Sequence, residues 1–375
     1  MKNAPGTSAN EWILYGITAA VLVGILVIGL WPLRFHPANN VNWILTRDGI
    51  RLGANGSVVS SGPFHAPVNE VEAAGPCSLE LWIAPAFSSA ATSILAVSTP
   101  SNPVQFQLTQ SLSDLFVIQK RLNRQGRLET KHIAITFLFQ KDRSVFITIS
   151  GDSGGTSVFI DGLLRRRSSD VRLTCESLAG TLVLANSPER YDPWQGNIFA
   201  LAIYHGSLDA GTSLRHYRAF SSGTTLDRAD LLSALAVYNF SEHGGHVIRD
   251  QTRSGPDLLI PEYYSILYPH FLTPPWKEYT PNHWYITDLA INVAGFVPAG
   301  FFVCATLVSL RNGKRSVALT ALVGLSLSLT IEVLQAYIPT RNSGTTDLIT
   351  NTLGAAIGAA LYVYVFRQPG IFRTR

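Results

Sequence analysis

The sequence predicts a two-part molecule in which four transmembrane α-helices are joined to an all-β antiparallel sandwich. Three observations predict it. Four apolar runs, Trp12 to Trp31, Asp288 to Leu310, Val317 to Tyr337 and Asp347 to Phe366, have the roughly 20 residues that an α-helix needs to cross a bilayer. Between the first two runs lie nine short stretches rich in β-branched and aromatic residues, evenly spaced and separated by Gly, Asp and Asn turns, the pattern of a sandwich. Only 14% of the 375 residues are charged, against about 25% in soluble proteins, a deficit that fits a chain partly in lipid.

These signals divide the chain into a cytoplasmic tail (1–11), a first span (12–31), an extended connection (32–75), the sandwich (76–220), an accessory strand with a Pro/aromatic interface linker (221–283), spans at 284–310, 316–337 and 346–366, and a second cytoplasmic tail (367–375). The first run is bracketed by tryptophans, as membrane helices often are. Pro32-Leu33-Arg34 follow it without a small-x-small cleavage site, so it reads as an uncleaved anchor rather than a signal peptide.

Net charge is +4. The basic residues form short clusters and no long run interleaved with aromatics, which argues against nucleic acid as a partner. Cys77, Cys175 and Cys304 stand far apart with no close histidine pair, so no metal centre is expected. Cys304 reads as a small buried hydrophobe within a span. Cys77 and Cys175 share an exported domain, where two readings stay open: one disulfide, or two separate buried thiols, because spacing alone does not set the distance between their Cα atoms.

The strand candidates of the sandwich are Ser78 to Ile83, Thr92 to Val97, Val104 to Leu108, Asp114 to Ile118, Lys131 to Leu138, Ser144 to Ile149, Ser157 to Ile160, Gly180 to Ala185 and Asn197 to Tyr204. Asp161-Gly162 after Val158-Phe159-Ile160 is a hairpin turn, since Gly takes positive φ without a Cβ clash. Arg165-Arg166-Arg167 reads as a solvated hairpin face or a site for an anion. Leu208 to Tyr217 is expected as a short surface helix. Shorter strand candidates, Trp43 to Leu45 and Gly49 to Leu52, precede the domain. From Pro261 to Pro281 prolines and aromatics alternate, which excludes a long helix and suits a stiff linker at the bilayer interface.

Four pieces, Leu79-Glu80-Leu81-Trp82-Ile83, Lys131 to Thr136, Val158 to Gly162 and Gly196 to Tyr204, occur in an order that resembles the laminin-G-like and concanavalin A-like domains. The resemblance implies a jelly roll that binds sugars or proteins, in some relatives with calcium and in others with glycoside hydrolase activity. Cleavage of a glycoside needs two carboxylates across the bond. Glu80 has no acidic partner on its strand and is expected on the solvent face. Asp161, Asp192 and Asp209 are the loop carboxylates able to converge on calcium, although no EF-hand spacing exists. Val237 to Asp250 resembles the opening strand and turn of such domains and is either an added strand or a remnant of a repeat. His243 and His246 sit in its Gly-rich turn without a close third ligand and read as surface histidines.

Topology follows from charge. The loop Arg311-Asn312-Gly313-Lys314-Arg315 and the tail arginines Arg367, Arg373 and Arg375 belong on the cytoplasmic side. Residues 338–346 and the sandwich then lie outside, and the N-terminus lies inside.

The spans carry polar groups that hydrocarbon penalises. Asp288, Asn292 and Gly295 repeat the spacing of Asp347, Asn351 and Gly354, which puts each set on one helix face. Gly358 extends the second stripe into a Gly-x-x-x-Gly pair, and helix packing accounts for the glycines. Glu332 and Gln335 lie about 3 to 8 Å below Tyr337, so Asp288, Asn292, Glu332, Gln335, Arg341, Asp347 and Asn351 converge on one leaflet. Two readings stand: a Glu332–Arg341 pair with asparagines as interhelical glue, or a pocket for a polar headgroup or its phosphate.

This module resembles the VanZ-like family, associated with low-level resistance to the glycopeptide teicoplanin. The matching residues are Asp288, Asn292, Phe296, Pro298 and Gly300, then Glu332, Gln335, Pro339, Arg341, Asp347, Asn351, Gly354 and Gly358. The family's first two helices are usually joined by a short loop, whereas roughly 250 residues (32–283) intervene here. The resemblance implies a multi-pass protein of the bacterial cytoplasmic membrane with a role in the cell envelope.

The expected partners are an envelope lipid or lipid-linked saccharide at the helices and a glycan or envelope protein at the sandwich. Arg341 would neutralise phosphate, Glu332 would orient Arg341 or accept a proton, and Asn292, Gln335 and Asn351 would position the headgroup. A membrane-embedded hydrolase or transferase, with Glu332 and Asp347 or Asp288 as acid and base, is the first alternative. An adhesion protein merely anchored by its helices is the second.

Overall fold

The computed structural model describes residues 9–65, 70–86, 90–122, 127–140, 143–224, 226–279, 283–311 and 315–367. Most of the N-terminal tail (1–8), the centre of the basic loop (312–314) and the tail beyond Arg367 lie outside them, as do the charges placed there above.

Helix α1 (Ala9–Leu30) leads into β1 (Val41–Trp43), β2 (Ile50–Leu52), β3 (Val58–Ser60) and the one-turn α2 (Glu70–Ala73). The central strands are β4 (Cys77–Pro85), β5 (Ala91–Thr99), β6 (Asn102–Ser111), β7 (Asp114–Leu122), β8 (Leu128–Ile135), β9 (Val145–Asp152), β10 (Gly155–Ile160), β11 (Leu163–Ser168), β12 (Thr181–Leu184) and β13 (Gly196–His205). There follow α3 (Ala210–Ser222), α4 (Arg228–Ser233), β14 (Ala234–Tyr238), β15 (Val247–Ile248), β16 (Leu258–Leu259), α5 (Pro275–Glu278), α6 (His283–Arg311), α7 (Ser316–Gln335) and α8 (Thr345–Arg367). The chain divides into two compact units, Met1–Phe35 with Pro269–Arg375, and His36–Tyr268.

The second unit is a sandwich of two eight-stranded antiparallel sheets. One runs β1-β2-β13-β4-β9-β10-β11 with β14 also on β13, and the other runs β15-β16-β3-β12-β5-β6-β7-β8. Alternation builds the core: Leu79, Leu81 and Ile83 of β4 point inward with Ile147 and Ile149 of β9, meeting Leu95, Val97, Phe106, Leu108, Leu115 and Val117 of the other sheet. Both open readings of this region are settled. Cys77 and Cys175 form a disulfide with Cα atoms 4.9 Å apart. The 237–260 segment adds strands, with β14 on β13 and β16 on β3.

The sandwich is wider than the predicted 76–220. β2 pairs with β13 and β3 with β12, so the stretch expected as an extended connection supplies strands to both sheets. The Asn39 amide donates to the carbonyls of Ser57 and Pro261 (2.8 Å each), tying the two flanks together. Strands of two to five residues leave too little alternation to be read in a sequence. The Pro/aromatic linker is likewise anchored, for Tyr264 is buried with its ring 5.5 Å from that of Tyr191.

Glu80 is not on a solvent face. Residues 78, 80 and 82 of β4 do alternate away from the core, but α3 covers Glu80, which is 1% exposed. Asp209 caps α3 by accepting from the Thr212 amide (2.7 Å), as an N-cap carboxylate should. Thr148 and the His216 Nδ1 donate to the two Glu80 oxygens at 3.0 and 2.8 Å, and His216 Nε2 lies 3.2 Å from Asp230. Burial alone would push the imidazole pKa down, but the hydrogen bond and charge of Glu80, reinforced by Asp230, raise it above its ordinary value. An imidazole between two carboxylates, its pKa raised by them, thus links the helical layer to the sheet. Such a group stabilises the fold fully below the unfolded imidazole value and loses that contribution as pH rises through its folded value.

In the other unit the helices are the four long apolar segments of the chain, each within three residues of its predicted bounds. Helices α6 and α8 touch backbone to backbone. A Cβ on Gly354 would lie 2.2 Å from the Val293 carbonyl, and one on Gly358 would lie 2.0 Å from that of Val297. On α6 the matching position is Gly300, 2.0 Å from the Ala355 carbonyl, whereas Gly295 of the repeated motif has nothing within 4 Å. Packing therefore explains the α8 glycines and leaves Gly295 without a structural reason. Thr18 of α1 hydrogen-bonds Thr306 of α6 (2.9 Å).

Three outcomes are expected. Cys175→Ser should lower sandwich stability by about 2–5 kcal/mol, read from urea unfolding of the detergent-solubilised chain. The thermal midpoint of its β-sheet signal should fall as pH is raised from about 6 to about 9, and His216→Gln should flatten that slope; an unchanged slope would remove the charged triad from the account. Gly358→Val should destabilise the helical unit by about 1–3 kcal/mol through overpacking, measured as loss of helix on detergent titration.

Candidate functional site

The polar groups of the helical unit gather where α7 ends and α8 begins. Sequence places the carboxylates near that turn, and the chain between the helices brings them to it. Residues Ile338 to Thr345 leave α7 and are met by the segment before α5. Thr273 donates its amide to the Ser343 carbonyl (3.1 Å) and Thr345 donates to that of Thr273 (2.9 Å), while the Thr345 hydroxyl donates to the Leu272 carbonyl (2.9 Å). This short parallel pairing delivers α5 to the N-terminus of α8.

Three carboxylates surround that terminus. Glu332 Oε2 accepts from the Gly344 amide at 2.8 Å, and Glu278 Oε2 accepts from the Thr346 amide at 3.2 Å. Asp347 lies in the first turn and accepts from Asn292 Nδ2 at 2.7 Å. Unpaired amides at a helix start carry the positive end of its dipole, so the carboxylates are placed where negative charge is stabilised. A Cβ on Gly344 would fall 2.2 Å from Glu278 Oε1, so a larger residue there would displace that carboxylate. Glu332 is 1% exposed, a burial tolerated only with a donor in place.

Glu278 escaped the sequence reading. It stands in the Pro/aromatic stretch with no spacing that relates it to any polar residue of the spans. The only local signal is Pro274-Pro275 ahead of it, since proline favours the first helical turn.

The seven expected residues are not all used alike. Asn292 and Asp347 bind each other, so the two Asp-x-x-x-Asn motifs interlock across α6 and α8. Asn351, one turn deeper, donates to Ser328 of α7 (3.0 Å). Gln335 donates to the Gly29 carbonyl of α1 (2.7 Å). Arg341 donates from Nε (3.0 Å) and a terminal nitrogen (2.5 Å) to the Trp31 carbonyl and is exposed. Asp288 is exposed and makes no hydrogen bond among the described residues.

Neither the Glu332–Arg341 pair nor the role of Glu332 in orienting Arg341 is present; among the described residues no ion pair joins them. Glu332 takes its donor from Gly344, and the last turn of α1 orients Arg341. The reason is local: Gly344 offers its amide at a helix start to Glu332 (2.8 Å), while Arg341 is held by the Trp31 carbonyl.

Among the described residues several buried oxygens of this unit have no hydrogen-bond partner, including Glu278 Oε1, Gln335 Oε1, Asn351 Oδ1 and the Thr320 and Thr346 hydroxyls. Buried acceptors rarely go unpaired.

In the sandwich, the calcium candidates each have local partners. Asp161 accepts from the Phe146 amide (3.0 Å), Asp192 pairs with Arg190, and Asp209 caps α3. Among the described residues no group of three or more His, Cys, Asp or Glu is arranged to hold a metal. His243 pairs with Asp48 (2.9 Å), and His246 lies 3.2 Å from the Ile260 carbonyl. Arg167 of the arginine triplet pairs with Asp152 (2.8 Å) on an exposed strand.

Comparison with known proteins bears on both units. Residues 231–367 match the VanZ/LLP1 family model, and residues 54–212 match the model of the concanavalin A-like lectin/glucanases superfamily. The comparison with curated proteins found no match. Among solved structures, the botulinum neurotoxin serotype D ligand binding domain in complex with N-acetylneuraminic acid is 14% identical, with 49% of this chain covering 45% of that one at a TM-score of 0.36. The botulinum neurotoxin serotype D binding domain is 16% identical, with 48% covering 45% at 0.36. The chain thus spans less than half the length of these structures. With its four apolar helices, the protein is a membrane protein that joins a VanZ-like module to a concanavalin A-like domain.

Proposed function

We propose that the helical module holds the headgroup of a lipid-linked saccharide or another polar envelope lipid at the outer leaflet, while the sandwich binds a glycan or an envelope protein outside the cell. The observation that carries this reading is the set of buried oxygens without donors around the start of α8: Glu278 Oε1, Gln335 Oε1 and Asn351 Oδ1. A hydroxyl-rich headgroup supplies the donors they lack. The Gly344 and Thr346 amides at the α8 start are already taken by Glu332 and Glu278, so a phosphate is better placed at Arg341, which is exposed and keeps N–H groups beyond those bonded to Trp31. Glu332, Asp347 and Asn292 position the headgroup through the α8 terminus. The orientation with both termini in the cytoplasm rests on the basic loop at 311–315 and the tail arginines. A link to glycopeptide resistance follows from the VanZ likeness and is part of the proposal.

A reaction at this site is a second reading, favoured by the placement of Glu332 and Asp347 at one helix terminus, where two carboxylates can divide acid and base roles.

The test is native mass spectrometry of detergent-extracted protein with lipid identification, on wild type, Glu332→Gln and Arg341→Ala. Wild type should retain a phosphorylated envelope lipid, and each variant should hold it about tenfold less, the scale of one charged hydrogen bond. No retained lipid in wild type, or equal retention in all three, would defeat the proposal. Conversion of the lipid that disappears with Glu332→Gln would select the enzyme reading.

A further inference from the structure

Two cavities on the outer face of the first sheet meet at a single cation. One, of about 570 Å³, lies toward the end of α3, and the other, of about 680 Å³, lies toward β2 and the start of β13; Arg47 and Phe199 line both. Together they form a groove of the size that takes more than one small ring.

The local structure is built around that cation. Where β13 pairs with β4, the register shifts between Ile198 and Ala200, a bulge of the kind that re-aims a side chain. It turns Phe199 onto the outer face beside Trp82, with ring centroids 5.1 Å apart. The Arg47 guanidinium lies over both rings, 3.8 Å from the Phe199 centroid and 4.7 Å from that of Trp82. Its turn is pinned on three sides. His243 pairs with Asp48, the Gly49 amide donates to the Phe240 carbonyl (3.0 Å), and Gly49 takes φ +143° where a Cβ would strike Phe199 at 2.9 Å.

A guanidinium held by one face on aromatic rings keeps its edge N–H groups for a planar anion. The groove continues past Arg51, which donates to Asn197 (3.3 Å). At its other end Asn239 is partly exposed and makes no side-chain hydrogen bond among the described residues. Asp48 is the acidic group on the wall and lies 2.9 Å from His243 Nε2.

Cations over an aromatic floor, flanked by amides, suit sugar rings that carry negative charge. We infer that this groove binds a carboxylate-bearing oligosaccharide, with Arg47 paired to the carboxylate and held from beneath by Trp82 and Phe199. The amides of Asn197 and Asn239 along the groove suit sugar hydroxyls, of which a polymer of phosphodiesters without rings offers fewer. This assignment rests on the glycan-binding reading of the sandwich and names its site and ligand class.

The test is calorimetric titration of the full chain in detergent with a tetramer of galacturonic acid, with neutral cellotetraose and with poly(glycerol phosphate). Wild type should bind the acidic tetramer most tightly. Arg47→Ala should weaken it about tenfold or more and Arg47→Lys by less, the difference between a bidentate fork and a point charge. Trp82→Ala should weaken the acidic tetramer by releasing Arg47, and Arg51→Ala serves as a second, exposed variant should Trp82→Ala fold poorly. Arg165→Ala, on the distant hairpin, should change nothing. Saccharide binding that is indifferent to Arg47, Arg51 and Trp82 would overturn the groove and leave the glycan reading standing. A wild type that binds neither saccharide would overturn both, and tighter binding of poly(glycerol phosphate) would overturn the carboxylate.

Discussion

A carboxylate removed from water must find donors, and each unit of this protein is arranged around meeting that demand. In the sandwich, Glu80 is satisfied by Thr148 on a neighbouring strand and by His216 on a helix that lies 136 residues further along the chain. In the helical unit, Glu332 is satisfied by Gly344, in the turn that follows its own helix. Removing either acceptor leaves a donor or a buried charge without a partner, so neither the helical layer on the sheet nor the start of α8 keeps its place without these contacts.

The helical site shows how close packing and polarity depend on one another. Gly300, Gly354 and Gly358 let α6 and α8 approach to backbone contact, and that approach brings Asn292 within 2.7 Å of Asp347. In lipid, apolar side chains supply no drive for helices to associate, so the contact relies on fit and on such hydrogen bonds. In the same unit Gln335 and Asn351 keep buried oxygens without a donor among the described residues; on the proposed reading a headgroup supplies it.

How much of this was legible depended on whether a feature is local. The spans were readable to within three residues because hydropathy over about 20 residues is a property of composition. The central strands were readable from alternation. β3, β15 and β16 were not, since two or three residues carry no period. Glu80 was misassigned by a sound rule: alternation puts it opposite Leu79 and Leu81, and that face is wet unless something covers it. Here α3 does. Among the polar residues of the spans, the Asp-x-x-x-Asn repeat was visible and its interlock was not. The Glu332–Arg341 pair was a plausible guess that failed because a backbone amide stood nearer.

The sequence by itself determined the four apolar helices, the β-rich domain between the first two, and the polar residues that hydrocarbon would penalise, because each is set by side-chain chemistry along a short stretch. Only the tertiary structure decided which partner each polar group takes. Glu278 reaches α8 through a pairing of two loops, His216 reaches Glu80 across a sheet, and Arg47 settles on rings that a bulge brought together. Those partners are separated by tens to hundreds of residues, and the contacts exist because desolvated charge and aromatic faces must be matched wherever the folded chain brings them close.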